Sequence, residues 1–204
     1  MMRTMLALVV GAHAGLACAT AQVEMVCGDG SPLMRYSSSG ATPTLRVTYS
    51  TAGDAGKPGL FWLGVLSGDQ QIGAALTPQG WQAYQGGLYP YQSRHDAGLR
   101  HTITLNVPMP GTSLTTAEYV GYGLYLGHGV YTQQAQQQVA SRRAALNRVK
   151  PDMVAKGRWR PDFDTDDTFI WTLIQKDMTD NGKYGRVYTI PYLDCTPPQS
   201  GGGS

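Results

Sequence analysis

Along Thr44–Tyr49 apolar and polar residues alternate, placing Leu45, Val47 and Tyr49 on one face of a predicted strand. His101–Val107 alternates in the same way, with Ile103, Leu105 and Val107 facing inward. Leu60–Leu66 is almost continuously apolar and reads as a strand buried on both faces. Ser67-Gly68-Asp69 is a hairpin signal into a further strand at Gln71–Leu76, and Glu118–Leu126 is another strand. The period changes after Thr132. From there to Val149 the chain is Gln- and Ala-rich without Gly or Pro, and Ala135, Val139, Leu146 and Val149 fall on one helical stripe that Pro151 is expected to end. Thr168–Gln175 and Val187–Leu193 read as closing strands. Residues 28–43 and 77–99 read as loops, the second rich in aromatics. Short strands with turn signals between them predict a mainly β protein: a Greek-key, immunoglobulin-like β-sandwich of about seven or eight strands with one helix inserted at 132–149.

The first residues change the picture of compartment. Arg3 precedes the apolar run Met5–Ala12 and small residues ending Ala19-Thr20-Ala21, the pattern of a secretory leader cleaved after Ala21. The run is too short to span a membrane, and no later stretch approaches the ~18 apolar residues a span needs. The expected organisation is a leader at 1–21, one domain at 22–195 and a Pro-, Ser- and Gly-rich tail at 196–204. A rival reading lipidates Cys18, although Gly15 stands where such signals carry a large aliphatic residue. In an oxidising compartment the remaining pair, Cys27 and Cys195, is expected to form a disulfide that ties the ends of the domain together. In the chain-entropy view that closure contributes roughly 5 kcal/mol at most. The alternative is two buried thiols. Loss of Arg3 with the leader leaves 15 Lys and Arg against 14 Asp and Glu, so no net field favours nucleic acid.

Short motifs carry a family resemblance: Gly80-Trp81 after a strand pair, Val120-Gly121-Tyr122-Gly123, and Gly182-Lys183-Tyr184 before the last strand. Asp177–Tyr184 also has the look of the tyrosine corner of Greek-key sandwiches. Together they resemble β-sandwich modules of secreted and pilus-associated proteins of Gram-negative bacteria, across most of residues 44–193. The resemblance implies a non-enzymatic role in surface assembly or adhesion. It transfers no functional residue, and the helix at 132–149 departs from the compact module.

Three stretches are candidates for chemistry. Asp162, Asp164 and Asp166 stand at i, i+2 and i+4 in an acidic run, a spacing that suits a hard cation such as Ca²⁺. The same run equally suits pairing with Arg142, Arg143, Arg148, Lys150, Lys156, Arg158 and Arg160 just upstream. Arg142 and Arg143 on the helix, with Trp159 beyond it, are candidate partner contacts, or simply a solvated face and a packed ring. Trp81, Tyr84, Tyr89 and Tyr91 mix flat rings with amide side chains in one loop. That composition suits a protein interface, a glycan, or rings folded over the sandwich end. No nucleophile-elbow, zinc-protease or phosphate-loop motif is present. Ser93, His95 and Asp96 are sequence neighbours, poorly placed for a relay.

The expected function is therefore a secreted or cell-surface structural protein: a subunit or accessory of an extracellular filament or envelope complex that works by contacts with other protein subunits. The alternative is a glycan-binding adhesion module using the aromatic loop, with or without Ca²⁺. The third reading is a small hydrolase using His95 or His128 with a nearby carboxylate.

Overall fold

The computed structural model describes residues 20–26, 43–84, 86–87, 97–110 and 118–191. Residues 1–19, where the leader is expected, and Cys27, Cys195, Tyr89, Tyr91, His95 and the expected tail at 196–204 lie outside the described residues.

Among the described residues, eight strands form two antiparallel sheets. The first sheet has the order β1-β2-β6, with β1 at Ala21–Val26, β2 at Thr44–Ser50 and β6 at Thr102–Pro108. The second has the order β5-β4-β3-β7-β8. Its strands are β3 at Gly59–Leu66, β4 at Gly73–Thr77, β5 at Gly80–Ala83, β7 at Gly123–Val130 and β8 at Tyr184–Thr189. Two helices, α1 at Gln133–Ala155 and α2 at Asp167–Asp180, lie between β7 and β8. The predicted mainly β, two-sheet architecture is observed, with two helices where one was expected.

The alternation read in β2 and β6 holds. Leu45, Val47, Tyr49 and Leu105 join Phe61, Leu63, Val65, Leu124 and Leu126 in the core between the sheets. β3 and β7 are buried along their whole length because both their faces are covered. The first sheet covers one face and α2 covers the other, through Ile170, Ile174 and Met178.

Glycine makes room for that helix. Across the β3–β7 ladder, Leu60 faces Gly129, Trp62 faces Gly127, and Tyr125 faces Gly64. Each large side chain on the α2-facing surface thus has a glycine opposite. A Cβ on Gly129 would stand 2.1 Å from the Ile174 carbonyl oxygen, and one on Gly64 would meet the Trp62 indole at 2.2 Å. The bare backbone lets α2 seat directly on the sheet, and the buried indole fills the space above Gly64.

Several local expectations are corrected. Thr168–Gln175 is not a strand but the first part of α2. Ile170, Ile174 and Met178 recur every four residues and all are buried, the period of a helix with one covered face. Pro151 does not end α1, which continues to Ala155. A proline removes one N–H from the ladder and crowds the carbonyl four residues earlier, a local cost that the bonds beyond it can offset. Beyond it the turn is held by Lys156 N–H to the Asp152 carbonyl, Arg158 N–H to the Met153 carbonyl, and a Lys156–Asp152 ion pair at 2.8 Å. The strand expected at Glu118–Leu126 is β7, displaced toward the C-terminus. Gly121, at φ +83°, turns the chain just before it. The last strand ends at Thr189 rather than Leu193, and β5 lies within the stretch expected to be loop. Asp177–Tyr184 is no tyrosine corner: Asp177 and Asp180 belong to α2, and the Tyr184 hydroxyl donates to Gln70 Oε1 at 3.3 Å.

Candidate functional site

A chain of polar groups, buried at Tyr49 and His128 and half-buried at Asp54, Asp177 and Lys183, joins both sheets to α2. His128 faces the core from β7 and is 2% exposed. Its Nδ1 lies 2.7 Å from the Tyr49 hydroxyl of β2, and its Nε2 lies 3.1 Å from Asp54 Oδ2 in the short 3-10 turn that follows β2. A neutral ring satisfies both contacts when Nε2–H donates to the carboxylate and Nδ1 accepts from the phenol. Lys183, just before β8, inserts its ammonium between Asp54 Oδ2 at 2.7 Å and Asp177 Oδ2 at 2.8 Å. Asp177 Oδ2 also accepts the Val130 backbone N–H at 2.8 Å, so α2 is tied to the end of β7. Lys57 completes the set at 2.7 Å from Asp54 Oδ1.

The surroundings define the charge states. Burial pushes the His128 imidazole below its ordinary value, outweighing the Asp54 carboxylate that pulls it up. Asp54 resists the effect of its own burial, because bonds from Lys183 and Lys57 hold it far below the usual carboxylate range. Lys183 is likewise raised despite burial, by Asp177 and Asp54. Burial, then the Asp54 charge, keeps the Tyr49 phenol protonated well above its ordinary value. At neutral pH the chain is two cations against two anions bridged by a neutral imidazole. The structure brings His128 to a carboxylate, as the hydrolase reading required, but both ring nitrogens are occupied by protein groups. Two open recesses lie elsewhere. One, of about 420 Å³, crosses the outer face of the first sheet along Glu24, Arg46, Thr48, Thr104 and Asn106. The other, of about 350 Å³, runs between α1 and α2 beside Gln134, Gln138, Leu173 and Asp180.

The acidic run and the basic helix meet each other. Arg142 and Arg143 both reach Asp166, Arg143 Nη2 at 2.8 Å, and Arg143 Nη1 donates to the Phe163 carbonyl at 2.9 Å. Lys150 pairs with Asp164 at 2.6 Å, and its ammonium sits 4.8 Å from the centre of the Trp159 ring. Trp159 Nε1–H donates to Asp164 Oδ2 at 3.1 Å, and Arg160 pairs with Asp162 at 2.5 Å. Each candidate cation ligand thus holds a protein cation of its own. Among the described residues no group of three His, Cys, Asp or Glu side chains converges as a metal site. Arg142 and Arg143, expected as partner contacts, are spent on this lock and half-buried.

Trp81 is also partly enclosed. Its ring packs against the core and its Nε1–H donates to the Pro108 carbonyl at 2.7 Å, pinning β5 to the end of β6. Tyr84 packs with Tyr184 around Trp62. Of the central network only His128 was singled out from sequence. Tyr49 reads as core and Lys183 and Asp177 as turn residues, and Asp54 falls in the Gly- and Pro-containing turn or loop at 51–59. They lie on four separate segments, and no spacing rule connects them. The one available signal was His128 in an otherwise apolar and glycine strand, since a buried polar group demands partners.

Comparison with family models, with curated proteins and with solved structures finds no match for this chain. Among the described residues, no helix is long and apolar enough to cross a membrane.

Proposed function

We propose that this protein is a secreted or cell-surface assembly protein that acts through contacts with other proteins, and that the α1 excursion is its recognition element. One observation carries the reading: α1 is 23 residues long, about 35 Å of helix, yet Ala135 is its only buried residue. A helix so exposed gains little from packing on its own domain. It is held by the Thr132 cap at one end and by the Arg142, Arg143 and Lys150 contacts farther along. That arrangement presents a rigid surface in one orientation, which lowers the ordering cost of association. Its outward face carries Gln133, Gln137, Ala140, Ser141 and Ala144, small or amide side chains with little charge to desolvate.

The course of the chain supports the same reading. We read the fold as immunoglobulin-like and Greek-key. β1-β2-β6 stands for the A-B-E strands, and β5-β4-β3-β7-β8 stands for the extended C″-C′-C-F-G sheet of variable-type sandwiches. The helices then occupy the F–G connection, which in that architecture is one of the recognition loops. The correspondence is a fold-level analogy and lends support through position alone.

A photo-crosslinking residue at Ala144, compared with one at Thr104 on the outer face of the first sheet, tests the reading in intact cells of the source organism. Crosslinks to a defined protein species from Ala144 and not Thr104, lost in an Ala140→Arg variant of unchanged thermal midpoint, are the expected result. Absence of α1 crosslinks, or recovery of the chain from cytosol with Met1 intact, would overturn it.

A further inference from the structure

The polar ties that help dock α2 and the segment before β8 onto the sandwich include one neutral histidine, which shares its carboxylate partner with the central lysine. Lys183 and His128 share a single acceptor atom, Asp54 Oδ2, at 2.7 and 3.1 Å. Lys183 is in turn the bridge to Asp177, which holds α2 to the Val130 backbone. The charged and titratable groups that face His128 are Tyr49 from β2, Asp54 and Lys57 from the following turn, Asp177 from α2, and Lys183 from the link to β8.

We propose that this network is an acid-sensitive latch, in which protonation of His128 loosens the seating of α2 and β8 while the core between the two sheets stays closed. Protonation changes the local balance from two cations against two anions to three against two. The imidazolium then competes with the Lys183 ammonium for one carboxylate oxygen. The ring also loses an acceptor: Nδ1 becomes a donor, so the Tyr49 hydroxyl stops donating to it and its oxygen accepts instead. Tyr49's hydroxyl has one other acceptor in reach, the Lys183 carbonyl at 3.4 Å, the residue that leads into β8. The redirected hydroxyl hydrogen strengthens that long contact and pulls on the same short segment whose ammonium now shares its carboxylate with a second cation. The effect is local because the remaining seat of α2 is apolar, through Ile170, Ile174 and Met178.

The sign follows from burial. The folded imidazole takes up a proton less readily than an exposed one. Acid therefore favours the open form, and the docking is intact above the ordinary histidine value of ~6.5 and lost as pH falls through the lower folded value. His128 is the member of the set whose ordinary titration lies between pH 5 and 8.

Amide hydrogen exchange on the full chain, corrected for intrinsic rates, reads the latch directly. Between about pH 7.5 and about pH 5, protection of α2 and β8 is expected to fall about tenfold, with β2 and β6 changing less than about twofold. His128→Gln, neutral at every pH, abolishes the dependence. His101→Gln, which removes an exposed histidine, leaves it in place. Unchanged α2 protection in acid, or a dependence that survives His128→Gln, overturns the proposal. If His128→Gln does not fold, histidine NMR of the unmodified protein decides: the His128 ring must titrate with the same midpoint as the loss of α2 protection, and a different midpoint overturns the latch.

Discussion

β7 and α1 are separated by two residues, and they are held in opposite ways. All eight residues of β7 are buried, between β3 and β8 along its edges and between the first sheet and α2 on its faces. α1 buries one residue of 23 and is kept in place by a cap, ion pairs and carbonyl contacts at its surface. In β7 the stabilising term is area removed from water, which neither salt nor moderate pH alters much. In α1 it is charge and hydrogen bonding near solvent, which both alter. The contrast divides the molecule into a permanent frame and an appended surface. The His128 network lies at the seam, polar like the second and, at Tyr49 and His128, buried like the first.

Four substitutions test that division, beginning with the largest effect. Trp62→Ala empties the space between β3 and α2 and is expected to cost about 3–5 kcal/mol in denaturant unfolding. A loss below ~1 kcal/mol would mean the second sheet does not rely on that face. Gly129→Ala forces a methyl group against the Ile174 carbonyl, at an expected cost of about 1–3 kcal/mol. Its exchange signature should be concentrated in α2, and uniform destabilisation would contradict the glycine seat. Asp166→Ala removes the shared partner of Arg142 and Arg143, with an expected cost near ~1 kcal/mol that shrinks toward zero at about 1 M salt. Faster exchange in α1 with β7 untouched supports the division; equal losses in both refute it. Val154→Ser, on the exposed C-terminal turn of α1, should shift stability by less than about 0.5 kcal/mol. A larger loss would show that this turn is packed rather than presented.

The acid response cuts across the same line. Depression of the His128 value makes stability of the α2 seat rise with pH up to the ordinary histidine range and level off above it. Asp54, held below its ordinary value, adds stability that disappears only in stronger acid, below ~3.8. Two separate acid transitions, the first confined to α2 and β8, would sharpen the picture of a frame and a latch.

Strands with one wet face were legible one residue at a time. Leu45, Val47 and Tyr49 alternate with Arg46 and Thr48, and no distant contact is needed to see which side turns inward. The helix α2 was misread because Phe169, Ile170 and Trp171 are β-favouring residues in a short apolar run, and only the burial of Ile170, Ile174 and Met178 every fourth residue reveals the period. The ion pairs of α1 were legible as a class, a basic helix beside an acidic run, but not as the partners Arg143–Asp166 and Lys150–Asp164. Charge attraction selects sign, and position in the fold selects the pair.

By itself, then, the order of residues determined the β-rich class, the inward faces of β2 and β6, the burial of β3, and the helix after Thr132. Each depends on periodicity within a dozen residues, where side-chain direction follows from backbone geometry alone. Only the tertiary structure decided that α2 is a helix seated on glycines, and that Tyr49, Asp54, His128, Asp177 and Lys183 form one network. Those outcomes depend on what stands across from each residue, and the groups that meet there lie as far as 134 positions apart in the chain.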